Sequence, residues 1–126
     1  GGVRFGTAEL YRVVENIDNI IECIAVERNL YTDTEIILFL KLKSNYKLNE
    51  EFIKLIKSEI KFNLSPKHVP SKIFEVSDIP KTKSGKIVEL SIKNIINGLD
   101  IENKNALANP DCLTEYEDIY QELKKD

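Results

Sequence analysis

Five consecutive large apolar residues, Ile36-Ile37-Leu38-Phe39-Leu40, constrain the folding of this chain more than any other feature. Successive side chains of a strand point to opposite faces, so an unbroken apolar run places oil on both. Branched and aromatic residues fit a pleated surface, and five residues are too few for a buried helix. The run therefore predicts a strand over Glu35–Lys43 with both faces covered, as in a sheet flanked by helices on either side. Asn29 to Asp33 supplies the turn before it. Ile20–Arg28 reads as a second, mostly buried strand interrupted by Glu22 and Glu27, and Lys72–Val76 as a third.

Helical periodicity fills the gaps. Leu10, Val13, Val14 and Ile17 recur at i, i+3, i+4 and i+7, predicting a helix over Thr7–Asn16 with Thr7 offering an N-cap hydroxyl. A second helix is expected from about Asn49 to Phe62, with Phe52, Leu55, Ile56 and Ile60 inward and Lys54, Lys57 and Lys61 on the other face. A third spans Ile87–Asn97, stopped by Gly98 in the C-cap position. Residues 99–113 read as irregular and polar, and Thr114–Lys124 as a short acidic helix. Its Tyr116 and Tyr120, one turn apart, are expected to dock it. Its stripe of Tyr116, Ile119, Tyr120 and Leu123 is expected to meet a large domain outside this chain or a second subunit. Leu64–Pro70 and Ser77–Lys86 are loops, and His68 in the first reads as a loop-packing residue. The fold class is α+β: a small mixed sheet of about three strands flanked by helices.

Composition excludes several functions. With 126 residues, 42% apolar and 31% charged, the chain has room for one domain with a modest core and is not a disordered tail. No apolar run approaches the roughly 18 residues of a membrane span. There is no charged segment followed by an apolar stretch that would read as a secretory leader. Two cysteines and one histidine match no metal spacing, so no metal site is expected and a reducing, cytoplasmic setting is. Residues 41–93 carry twelve lysines against six acids, between two acidic flanks. A basic middle suits a phosphate-rich ligand; a lysine-rich solvated surface gives the same pattern. A nucleic-acid module would interleave aromatic with basic residues, and only Tyr46 and Phe62 do so in a chain of net charge −3.

Ile79-Pro80-Lys81-Thr82-Lys83-Ser84-Gly85-Lys86-Ile87 carries the densest chemistry, with three lysines, two hydroxyls and one glycine between a strand and a helix. Such a loop can offer an ammonium to a phosphate or carboxylate. It is not a Walker loop, because Pro80 stands where the first glycine belongs and Ile87 replaces the magnesium-binding hydroxyl. Pro80 to Lys86 instead resembles the P-K-T-x-S-G-K signature of the adenylate-forming superfamily: acyl-CoA synthetases, luciferases and peptide-synthetase adenylation domains. Gly2-Val3-Arg4-Phe5-Gly6-Thr7-Ala8-Glu9 is similar to the G-x-R-x-G-T-A-E loop that follows the interdomain hinge of acetyl-CoA synthetase and its relatives. The two motifs stand in family order, about 80 residues apart, and the resemblance covers residues 1–97. Val88-Glu89, Ile95-Ile96-Asn97-Gly98 and Ala106-Leu107-Ala108-Asn109-Pro110 resemble the acetoacetyl-CoA synthetases within the superfamily. Acetyl-CoA synthetases usually place basic residues at Val88-Glu89 and lack the last segment.

The resemblance implies a C-terminal lid domain over 1–98 and a family-type extension with a short helix over 99–126. It implies ligation in two steps: a carboxylate attacks the α-phosphate of ATP, then coenzyme A displaces AMP from the acyl-adenylate. Lys86 matches the lysine that reaches the carboxylate and α-phosphate in the first step. Without that match, a lysine in a Ser-Gly loop reads as a solvated surface residue. Ser84 and Gly85 belong to the same loop. Gly2 matches the glycine lining the pantetheine passage and Arg4 an arginine near the nucleotide phosphate. Lys57 lies near a basic residue that touches the coenzyme A nucleotide in relatives, although that alignment is loose and a solvated helix face is the better explanation. The substrates implied are acetoacetate, ATP and coenzyme A, with magnesium in the full-length enzyme but not on this segment. The partner is the N-terminal domain of the same chain, without which this segment is expected to be inactive. The alternatives are the same domain of an acetyl-CoA or other short-chain synthetase, and a non-catalytic phosphate- or nucleic-acid-binding module.

Overall fold

The structure, a computed structural model, describes residues 7–101 and 104–125. Its elements follow the order α1 (Thr7–Glu15), β1 (Ile20–Asn29), β2 (Thr34–Leu42), α2 (Glu50–Asn63), β3 (Lys72–Glu75), α3 (Glu89–Ile96) and α4 (Leu113–Lys124), with single 3-10 turns between several of them. They form two compact units divided between Glu75 and Val76.

The first unit holds a mixed three-stranded sheet in the order β1-β2-β3. β1 and β2 form an antiparallel hairpin with Ala25 opposite Leu38, and β3 runs parallel to β2 with Phe39 opposite Phe74. The expected burial of β2 on both faces is observed, because Ile37, Leu38, Phe39 and Leu40 have no exposed surface. On one face, Leu38, Leu40, Cys23, Ala25 and Ile73 join Leu10 and Val14 of α1 and Ile56 and Ile60 of α2 in a single apolar cluster. On the other, Phe39 stacks on Phe74 with ring centroids 5.9 Å apart. Tyr11 stitches α1 to β1: its hydroxyl donates to the Ala25 carbonyl (3.2 Å) and accepts from the Ala25 N–H (3.1 Å). Near the hairpin turn, the Glu35 carboxylate pairs with Arg28 at 2.9 Å and Lys72 at 3.5 Å.

α2 is capped by Asn49, whose side-chain oxygen accepts from the Phe52 N–H at 2.8 Å. One inward residue differs from expectation. Leu55 is 50% exposed, and Ile53 packs against the cluster in its place. The buried stripe is centred between Ile56 and Ile60, and at 3.6 residues per turn Leu55 falls about 120° from that centre. His68 is held in its loop by Ser65, Oγ to Nδ1 2.7 Å.

The second unit contains α3 and α4, which pack on each other, and the segments leading into them. α3 ends in a Schellman motif: Gly98 N–H donates to the Ile95 carbonyl (3.0 Å) and Leu99 N–H to the Asn94 carbonyl (2.8 Å). Gly98 stands at φ +74°, and a Cβ there would lie 2.6 Å from the Tyr120 hydroxyl, so both conformation and space require glycine. Of the stripe on α4, Tyr116 and Leu123 are buried, and Ile119 and Tyr120 are half-buried. Among the described residues no helix is long and apolar enough to cross a membrane.

Candidate active site

The lysine-rich segment is a three-residue hairpin, not a helix-opening loop. Thr82 N–H donates to the Lys86 carbonyl at 2.8 Å and Gly85 N–H to the Thr82 carbonyl at 2.9 Å. Lys81 and Ile87 pair antiparallel at its base, and Val88 N–H donates to the Pro80 carbonyl at 3.0 Å. These bonds draw Ile87 and Val88 into extended backbone, which delays α3 from the expected Ile87 to Glu89. The loop residues are Lys83, Ser84 and Gly85, the last at φ +90°, as three-residue hairpins require at their final position. Nothing lies within 4 Å of a Cβ added there, so the need for glycine is conformational and not steric.

Thr82, Ser84 and Gly85 thus each have a local job. The Thr82 hydroxyl oxygen accepts from the Lys86 N–H at 3.1 Å and lies 2.9 Å from the Ser84 hydroxyl. Two hydroxyls and one amide therefore fasten the turn across its mouth. Lys83, Ser84, Gly85 and Lys86 are exposed. The Lys86 ammonium has no hydrogen-bond or ion-pair partner among the described residues. A full charge on a braced backbone, with nothing neutralising it, can serve an anion that arrives from outside.

Residues from the tail line the other edge of the same segment. Thr82 pairs with Leu107, and Ala108 N–H donates to the Lys81 carbonyl at 2.9 Å. Asn109 accepts from the Lys81 N–H through Oδ1 at 2.9 Å, and its Nδ2 donates to the Ile79 carbonyl (2.9 Å) and the Asp78 carboxylate (2.8 Å). Tyr116 donates to the Asp78 carbonyl at 2.7 Å, which accounts for its expected docking role. Glu115 accepts from the Ser77 N–H at 2.6 Å and hydroxyl at 3.2 Å.

Of the residues singled out in the sequence, Ser84, Gly85 and Lys86 share this hairpin. Lys57 belongs to the first unit, half-buried on α2. Gly2 and Arg4 lie outside the described residues. Neither cysteine is poised as a nucleophile. Burial, and then Glu15 and Glu22, push the Cys23 thiol up to about 12. Burial, Asp78 and Glu115 push Cys112 to about 11. Among the described residues no group of three or more His, Cys, Asp or Glu could hold a metal ion. The bracing residues Asn109, Glu115 and Tyr116 were not identifiable as part of the site from sequence. The one signal was the Ala106–Pro110 segment, which marked a family without stating a role.

No family model matches the chain. Among solved structures, a benzoate CoA ligase from Burkholderia xenovorans superimposes with a TM-score of 0.63 at 27% identity, covering 68% of this chain and 18% of that one. Fold and sequence together place the chain with the C-terminal domains of adenylate-forming acyl-CoA synthetases. Nearly complete matches come from one branch of that class, the acetoacetyl-CoA synthetases. The Rhizobium meliloti acetoacetyl-coenzyme A synthetase is 44% identical over 98% of this chain. The Streptomyces lividans acetoacetyl-CoA synthetase structure matches with a TM-score of 0.83 and 32% identity over 95% of it. The chain spans 19% and 18% of the lengths of those two proteins.

Proposed function

We propose that this chain is the lid of an acetoacetyl-CoA synthetase and that Lys86 is its catalytic residue. The observation that carries this reading is the braced hairpin that ends in the exposed Lys86 of the P-K-T-x-S-G-K segment, in a chain 44% identical to a protein of that name. The acid and the triphosphate are both anions, and adenylation must bring them within bonding distance. A preorganised cation at that point lowers their repulsion and stabilises the charge that develops in transfer. Ser84 and Gly85 shape the turn that presents it, with Thr82 as its staple. Gly2 is assigned to the pantetheine passage, Arg4 to the nucleotide phosphate and Lys57 to the coenzyme A nucleotide.

The lid is taken as residues 1–98 and the extension as 99–126. The acyl pocket, the adenine site and any magnesium belong to the remaining four-fifths of the protein, the N-terminal partner of this domain. The setting proposed is the cytoplasm, without nucleic acid or membrane.

The test is exchange of labelled pyrophosphate into ATP by the full-length protein. Exchange should depend on acetoacetate, exceed that with acetate, and be undetectable with residues 1–126 alone. A preference for acetate would move the protein to another branch of the class. Exchange by the isolated chain would remove the need for a large partner domain.

A further inference from the structure

The position of the hairpin is inherited from its first strand, and that strand is gripped by the tail. Both main-chain groups of Lys81 are bonded to neighbouring tail residues: its carbonyl accepts from the Ala108 N–H and its N–H donates to Asn109. Asn109 uses its acceptor and both donors on one short stretch, Asp78 to Lys81. By contrast the tip, Lys83 to Lys86, is exposed, and among the described residues its hydrogen bonds lie within the turn. A rigid turn on an unfixed base would present Lys86 at no defined point. A cation acting on a transition state must be placed to about 0.5 Å, and a misplacement of about 1 Å can cost roughly 10²-fold in rate.

We infer that Asn109 is a positioning residue for Lys86, and that the tail segment Leu107–Tyr116 acts as a brace setting where the hairpin stands. This rests on the adenylation role proposed for Lys86. The amide is chemically specific. In Asn109→Asp the oxygen facing Lys81 survives, while the donor that meets the Asp78 carboxylate and the Ile79 carbonyl becomes a second negative oxygen. Adding Asp78→Asn reverses the polarity of that contact and restores a donor between the two side chains. The Asp78 oxygen that accepts from the Ile79 N–H at 2.9 Å keeps its counterpart in that variant.

The experiment compares Asn109→Asp, Asn109→Asp with Asp78→Asn, and Lys86→Ala in the full-length synthetase. Acetoacetate-dependent pyrophosphate exchange is measured apart from conversion of supplied acetoacetyl-adenylate to the thioester, with thermal unfolding as the control for folding. Asn109→Asp should lower exchange by about 10-fold or more and leave thioester formation within about 2-fold, and the paired variant should recover several-fold of the loss. Asn109→Ala, which removes the amide acceptor and both donors without adding charge, stands in if the aspartate variant does not fold. A folded variant in which exchange is unchanged, while Lys86→Ala abolishes it, overturns the inference. So does a parallel fall in both half-reactions, which is the mark of a merely structural residue. If Lys86→Ala itself retains exchange, the assignment of Lys86 fails and the brace loses its purpose with it.

Discussion

Up to Glu75 the chain is organised by burial, whereas from Val76 onward the proposed functional segment is organised by hydrogen bonds from side chains to backbone. In the first unit, apolar residues of two helices and three strands meet in one cluster, and polar contacts such as Tyr11 to Ala25 or Arg28 to Glu35 pin elements already set by packing. In the second, the path from Ser77 to Lys86 has almost no regular structure. It is fixed by Asn109, Glu115, Tyr116 and Thr82. Burial is non-directional and tolerates exchange of similar side chains, while an amide with three partners tolerates almost none. The part proposed to carry chemistry is thus built from the more exacting kind of contact.

If that contrast is right, substitutions in the two units should fail for different reasons. The largest loss of stability should come from Leu40→Ala, which empties part of the first unit's cluster at a fully buried position. Its cost should be about 2–5 kcal/mol in urea unfolding. A cost below 1 kcal/mol would mean that the site collapses freely and that packing is not what defines this unit.

A smaller effect is expected at Gly98 in the second unit. Gly98→Ala should cost about 1–3 kcal/mol, part from left-handed backbone and part from the Tyr120 hydroxyl 2.6 Å from the new methyl group. Combining it with Tyr120→Phe should return the steric share and leave about 1 kcal/mol of backbone strain. No recovery in the pair would assign the whole effect to conformation.

A pH effect is expected in the first unit's core. Cys23 is neutral when folded, and burial raises its pKa from 9.0 to about 12. Below pH 9 both folded and unfolded thiols are protonated and the contribution to stability is full. As pH rises through the window from 9 to about 12 the unfolded chain ionises first, so stability falls. Cys23→Ala should lower stability at pH 8 yet flatten the decline between about pH 9 and about pH 11. An unchanged slope would show that other groups drive the alkaline loss.

The same contrast explains what could be read from the sequence. The Ile36–Leu40 run, the helical spacing of Leu10, Val13 and Val14, and the stop at Gly98 are local signals, and the three strands and four helices follow from them. The start of α3 did not follow, because Ile87 and Val88 look helical by spacing but pair with Lys81 and Pro80 across the turn. Leu55 was misplaced because Ile53 competes for the same stripe. Residues 99–113 looked merely polar, since the partners of Asn109 lie about 30 positions away and leave no periodicity. Lys86 was legible as a motif residue, but the reason for each neighbour, Thr82 as staple and Gly85 as left-handed corner, needed coordinates.

One of the three lysines in this hairpin is proposed to do the chemistry. Lys81, Lys83 and Lys86 carry the same charge within six residues, so electrostatics at a distance cannot distinguish them. The direct measurement is pyrophosphate exchange by the full-length enzyme with each replaced in turn by alanine. Lys86→Ala should fall by roughly 10²- to 10³-fold, and Lys81→Ala and Lys83→Ala by less than about 5-fold. Comparable losses at all three positions would contradict the account, and would make the loop a diffuse basic patch instead of a mount for one catalytic side chain.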